Sequence, residues 1–248
     1  MVQLKYFGDS RDYFKYDLIT HALRSDLVSN YTFVPMLTSH RDDAEGNKTP
    51  NHIEGKSVEL LSYIESCRSK DLEHWEAWLK PFVDKYITAH PVNEKIFTDD
   101  NRNKYWGSLK NILNAKNSLV FVDPDTGLET GTPGYLNKMG REKYVLNGEF
   151  RFLYNALDDS SVLMVYQHLP NNKHQHEAAV NKKINQAIKA SGCPFVMAYR
   201  EDDLSFLFIA KSEPIYLTLC ETIKVYFDNS GQKYKSIHYA PNNRMLPD

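Results

Sequence analysis

The stretch SLVFVDPDTGLE, residues 118–129, decides the reading of the fold. Leu119-Val-Phe-Val122 is a continuous apolar run with no polar alternate. A half-solvated strand alternates apolar and polar residues, whereas an unbroken run fits a strand buried on both faces, as in a parallel sheet under helices. Such a strand delivers Asp123, Asp125 and Glu129 to its carboxyl end, where open α/β sheets bind their ligands. The same Asp-Pro-Asp-Thr-Gly is also good turn chemistry, so the carboxylates have a purely structural reading as well.

Working outward, SVLMVYQH (161–168) repeats the pattern. PFVMAYR (194–200) and LSFLFIAK (204–211), split by an acidic turn, read as an antiparallel hairpin at a sheet edge. Helical spacing appears between the strands: Phe150, Leu153, Tyr154 and Leu157, then Val180, Ile184, Ala187 and Ile188. Another helix follows Pro214, with Ile215, Leu219 and Ile223 on one face. The tail from about Ser230 has no clear period. Upstream, a helix is expected from about Ser10 to Val28, capped by Asp9 or Ser10. A strand follows at 31–37 and a long polar loop at 39–57. Apolar stripes at Leu72, Trp75, Leu79, Phe82, Val83 and Tyr86, and at Tyr105, Leu109, Ile112 and Leu113, add helices. Alternating strands and helices imply right-handed βαβ units. The expectation is an α/β three-layer sandwich with a mostly parallel central sheet, an antiparallel edge hairpin and a helical insertion at about 56–115, all in one domain spanning 1–248.

The bulk properties narrow the function classes. With 248 residues and a net charge of −2, no basic domain points to nucleic-acid binding through charge alone. Cys67, Cys193 and Cys220 are odd in number and far apart, against a disulfide framework or a cysteine zinc site. The N-terminus is too charged for a signal peptide and no apolar run is long enough for a membrane span, so a cytoplasmic location is expected. No HExxH, GxSxG, P-loop or GxGxxG occurs. His174 and His176 stand at i, i+2 and would not share a helix face.

Two constellations carry chemistry. At the strand ends, Asp123, Asp125 and Glu129 are joined by Gln167 and His168. If the two strands are neighbours, His168 faces Asp123 or Asp125 across a crevice, a set able to hold a divalent ion or move a proton. At the N-terminus, GDSRDYFKYD places Gly8, Asp9, Asp12 and Lys15 around a helix start, with more charge than capping requires.

The chain resembles the class I methyltransferase-like superfamily, and within it the bacterial large-subunit ribosomal RNA adenine N6-methyltransferases. GDSRDYFKYDLITHAL stands where that family has a GNxADVxKH-type opening, and FVDPDTG stands where it has a strand ending in Asp-Pro-Pro-Tyr. The likeness covers about 1–40 and 115–212. It implies S-adenosylmethionine as cofactor, with Gly8, Asp9, Asp12 and Lys15 near it, Asp123 and Asp125 at the catalytic strand end with His168 beside them, and a nucleic acid or nucleotide as substrate. The family's glycine-rich cofactor loop has no counterpart, since no glycine follows the 31–37 strand before Gly46, and Thr126 replaces the stacking aromatic. Two alternatives follow: an Mg²⁺- or Mn²⁺-dependent nuclease or phosphohydrolase with Asp123, Asp125 and Glu129 as ligands, and a catalytically inactive binding module.

Overall fold

In a computed structural model of the chain, residues 8–39, 49–70, 78–82 and 96–241 are described. Leu72, Trp75, Val83 and Tyr86 of the expected apolar stripe, residues 40–48 of the polar loop and the last residues of the tail lie outside them.

The long apolar runs form a six-stranded sheet. Its strands are β1 (Asn30–Pro35), β2 (Ser118–Asp123), β5 (Val162–His168), β6 (Val196–Glu201), β7 (Leu204–Ala210) and β8 (Lys235–Tyr239), in the order β1-β2-β5-β7-β6-β8. β1, β2 and β5 pair in parallel, while β7 is antiparallel to β5 and β6, and β8 is antiparallel to β6. Four strands therefore point one way and two the other. A separate two-stranded parallel ribbon, β3 (Gly127–Leu128) with β4 (Tyr144–Val145), sits beyond the end of β2.

Helices cover both faces and give three layers. On one face lie α1 (Ser10–Arg24), α2 (Val58–Lys70) and α8 (Glu213–Asn229), packed on Phe33, Phe121, Met164, Tyr166 and Phe206. On the other lie α3 (Arg102–Ser108), α4 (Lys110–Leu113), α6 (Asn147–Ala156) and α7 (His176–Ser191), packed on Val34, Val122, Val165 and Leu207. The two sets alternate along each strand because successive side chains point to opposite faces. Phe33 and Phe121 stack across the β1–β2 pair with ring centroids 5.7 Å apart. The short α5 (Pro133–Met139) closes the β3–β4 connection.

The α/β sandwich agrees with the sequence reading, and α2, α3 and α4 fall within the expected helical insertion, with two differences. The hairpin β6–β7 is not at the edge, because β8 lies outside β6 and β7 inserts next to β5. The α1 helix also stops at Arg24 rather than Val28. β8 escapes the sequence pattern because KSIHY buries only His238 fully, so it carries no apolar run.

Candidate functional site at the carboxyl edge of the sheet

Asp9 starts the site. Its carboxylate accepts from the backbone N–H of Arg11 at 2.8 Å and of Asp12 at 3.0 Å, a standard N-cap of α1. Asp12 accepts from the Gly8 N–H at 2.9 Å. Gly8 has φ +81°, a region costly for other residues. One turn on, Lys15 reaches the sheet. Its Nζ donates to both oxygens of Asp123, at 2.9 and 3.1 Å, and pairs with Asp12 at 2.9 Å. It also stands 4.6 Å from the centre of the Tyr166 ring.

Lys15 and Asp123 are only 1% and 2% exposed, so these are buried charges and not a surface bridge. Burial alone would push the Lys15 ammonium down, but Asp12 and Asp123 hold it above its ordinary value. Burial pushes the Asp123 carboxyl up, and Asp12 adds to this while Lys15 opposes it. Asp9 is pushed up to about 6, by burial and then by Asp12. One cation among three carboxyls explains why Asp9 and Asp123 rise while the lysine stays charged.

Asp123 and Tyr166 belong together through the register. Val122 pairs with Val165, so the next residues of β2 and β5 stand side by side, on the face that carries α1. Tyr166 Oη is buried and has no hydrogen-bond partner among the described residues. Arg11 bridges to Asp203 in the β6–β7 turn at 2.8 Å. Burial opposes ionisation of Asp203, but Arg11 holds its carboxyl below the usual range. His168 lies near this pair and is held neutral by burial and then by Arg11, with its pKa lowered to about 4.

The structure thus unites Gly8, Asp9, Asp12 and Lys15 with Asp123. It does not bring His168 to Asp123 or Asp125, because His168 stands two residues beyond Tyr166 and meets Arg11 and Asp203 instead. Nor do Asp123, Asp125 and Glu129 converge. Asp125 is buried near the Tyr144 hydroxyl. Glu129 accepts from Asn147, through its backbone N–H at 3.1 Å and its side-chain amide, at the start of α6. The cause is the turn at Gly127, φ +128°, which redirects the chain into β3. Among the described residues no group of three or more His, Cys, Asp or Glu is arranged to hold a metal ion.

Gln167 is a tether and not a reacting group. Its carbonyl accepts from the Leu128 N–H at 2.9 Å and its amide donates to the Thr126 and His168 carbonyls at 3.1 and 3.0 Å. It therefore fixes the β2–β3 connection to the end of β5. Tyr166, Arg11 and Asp203 were missed in the sequence because apolar-run reading treats an interior tyrosine as core. Only the β2–β5 register, not visible in one sequence, would have placed Tyr166 beside Asp123.

No protein-family model matches the chain, and neither does any curated protein. A crystal structure of protein LPL1258 from Legionella pneumophila, of the DUF519 family, resembles it at 14% identity over 95% of this chain and 98% of that one, with a TM-score of 0.45. Among the described residues no helix is long and apolar enough to cross a membrane.

Proposed function

We propose that the protein is a methyltransferase-like enzyme that binds S-adenosylmethionine or a related nucleoside and acts on a nucleotide or nucleic acid, with Asp123 at its active-site strand end. The observation that carries this reading is the Lys15–Asp123 ion pair. It joins the two stretches on which the sequence resemblance rests, 108 residues apart, into one buried cluster.

The residues present suit the amino-acid end of such a cofactor. That end carries an ammonium and a carboxylate, and the cluster offers both complements: Asp12 and Asp123 as acceptors, Lys15 as a cation. Tyr166 Oη adds a buried hydroxyl without a partner among the described residues, and a buried polar group left so is costly unless something else satisfies it. The segment after β1 differs from a glycine-rich cradle. It continues as sheet edge, with the Met36 N–H bonded to the Asp123 carbonyl and the Phe97 N–H to the Leu37 carbonyl. In this reading the cofactor supplies an activated methyl group. Lys15 and Asp123 orient it, and Tyr166 holds its polar end. The metal-dependent alternative has no comparable support, since Glu129 is turned to Asn147.

Titration calorimetry with S-adenosylmethionine and S-adenosylhomocysteine tests the reading. Saturable binding is expected, weakened several-fold by Tyr166→Phe, which removes one hydroxyl and little else. Absence of heat at millimolar ligand with folded protein would sink it.

A further inference from the structure

A pocket of about 330 Å³ opens beside α7. It is framed by the end of β5, the β3 segment and α5, at the same carboxyl edge as Asp123. Its volume falls at the lower end of the range of small-molecule sites. Leu128, Leu169, Pro170 and Ala179 give it apolar walls. Two tyrosines add flat surfaces. Tyr144 is buried, while Tyr135 on α5 is 46% exposed at the rim, an aromatic ring that the fold itself leaves uncovered.

Thr130 and His168 also belong to the lining. Positive charge also lies here, on exposed Lys182 and half-buried Lys183 of α7. The Lys183 ammonium is already committed to the Leu128 and Glu129 carbonyls at 2.7 Å each. Lys182 is the cation placed to meet a ligand's charge.

We infer that this pocket binds a planar aromatic ring carrying an anionic group, of mononucleotide size, with Tyr135 stacking on the ring and Lys182 meeting the anion. The chemistry is shared by a nucleoside monophosphate and by a free aromatic carboxylate. The site is separate from the Lys15–Asp123 cluster, since none of Asp12, Lys15, Asp123 or Tyr166 lines it, and it does not depend on methyl transfer.

Calorimetry without S-adenosylmethionine, using AMP, adenosine, inorganic phosphate and 1-naphthoate, decides the matter. Saturable binding of AMP or of 1-naphthoate is expected, and which of them binds better identifies the source. Tyr135→Ala should weaken it roughly tenfold, the scale of a lost stacking contact. Lys182→Gln should weaken the anion several-fold and leave adenosine unchanged. Both residues are exposed, so both variants should keep the wild-type Tm. Tyr166→Phe should leave the affinity unaltered, which separates this site from the cofactor reading. No saturable binding of either anion overturns the inference, as does binding that Tyr135→Ala and Lys182→Gln leave intact. Inorganic phosphate or adenosine binding as tightly as AMP also overturns it.

Discussion

Lys15 is the residue on which the α1 face of the sheet turns. It is the shared cation of Asp12 and Asp123, all three buried. Removing one partner of a buried ion pair leaves an uncompensated charge, at a cost of about 3–5 kcal/mol. Lys15→Met is therefore expected to lower the urea midpoint strongly, and adding Asp123→Leu should recover part of the loss, because two carboxylates no longer face each other unpaired. A double variant no more stable than the single would refute this account. Asp9 and His168 make opposite demands on pH. The Asp9 carboxyl is raised to about 6 in the fold, so between its ordinary value and about 6 the folded state holds the extra proton. Its favourable contribution is complete in acid and is lost as pH rises through about 6. The His168 imidazole is lowered to about 4, so its contribution is complete above its ordinary value and is lost as pH falls toward about 4. Asp9→Asn keeps a good N-cap and removes the titration. Relative to wild type, its Tm should gain progressively as pH is raised from about 4 to about 6 and stay level above that. Thermal melts across the series read this directly, and a constant difference would show that Asp9 does not titrate with folding.

At the scale of elements, the β2–β3 connection depends on Gly127. Its φ of +128° is strained for any L side chain, and an added Cβ would sit 2.2 Å from Gln167 Oε1. That oxygen is the acceptor for the Leu128 N–H. Gly127→Ala should therefore cost roughly 1–3 kcal/mol of backbone strain and in addition release the ribbon from β5. A thermal shift close to zero would mean that the turn tolerates another conformation. The same connection shows what a sequence can and cannot reveal. β2, β5, β6 and β7 were legible because strands covered on both faces need apolar residues at every position. The N-cap at Asp9 and the helix after Pro214 were legible because their signals are local. β3 and β4 were not, since a two-residue strand has no period. The meeting of Lys15 with Asp123 was not legible, since 108 residues separate them and no local signal pairs them. The divergence of Asp123, Asp125 and Glu129 was hidden because one positive-φ glycine decides it.

For the whole molecule, the two faces of the sheet are held by different means. The α7 face is largely apolar packing. The α1 face adds a second buried charge network, in which Lys56 pairs with Glu201 at 2.9 Å, donates to the Tyr226 hydroxyl at 2.5 Å and approaches Asp17 at 3.7 Å. Tyr226 in turn donates to Asp17 at 2.8 Å and Tyr199 to Glu201 at 2.7 Å. This links β6, α1, α8 and the segment before α2, parts of the chain far apart in sequence. Such bonds require correct packing of all four at once, so they belong to the cooperative unit and not to one helix. Local stability should follow the same geography. β2, β5 and β7 each have a strand on both sides and helices on both faces, so their amides open only with global unfolding. β8 is a half-exposed edge strand and β3–β4 a two-residue ribbon, so both should open locally. Native-state hydrogen exchange is expected to show the slowest amides in 119–122, 162–166 and 205–209, and much faster exchange in 235–239 and 144–145. Equal protection in β8 and β5 would mean that another surface covers that edge. Lys56→Met should bring the slow set down together, by about 3–5 kcal/mol, as one buried ion network lost from one cooperative unit.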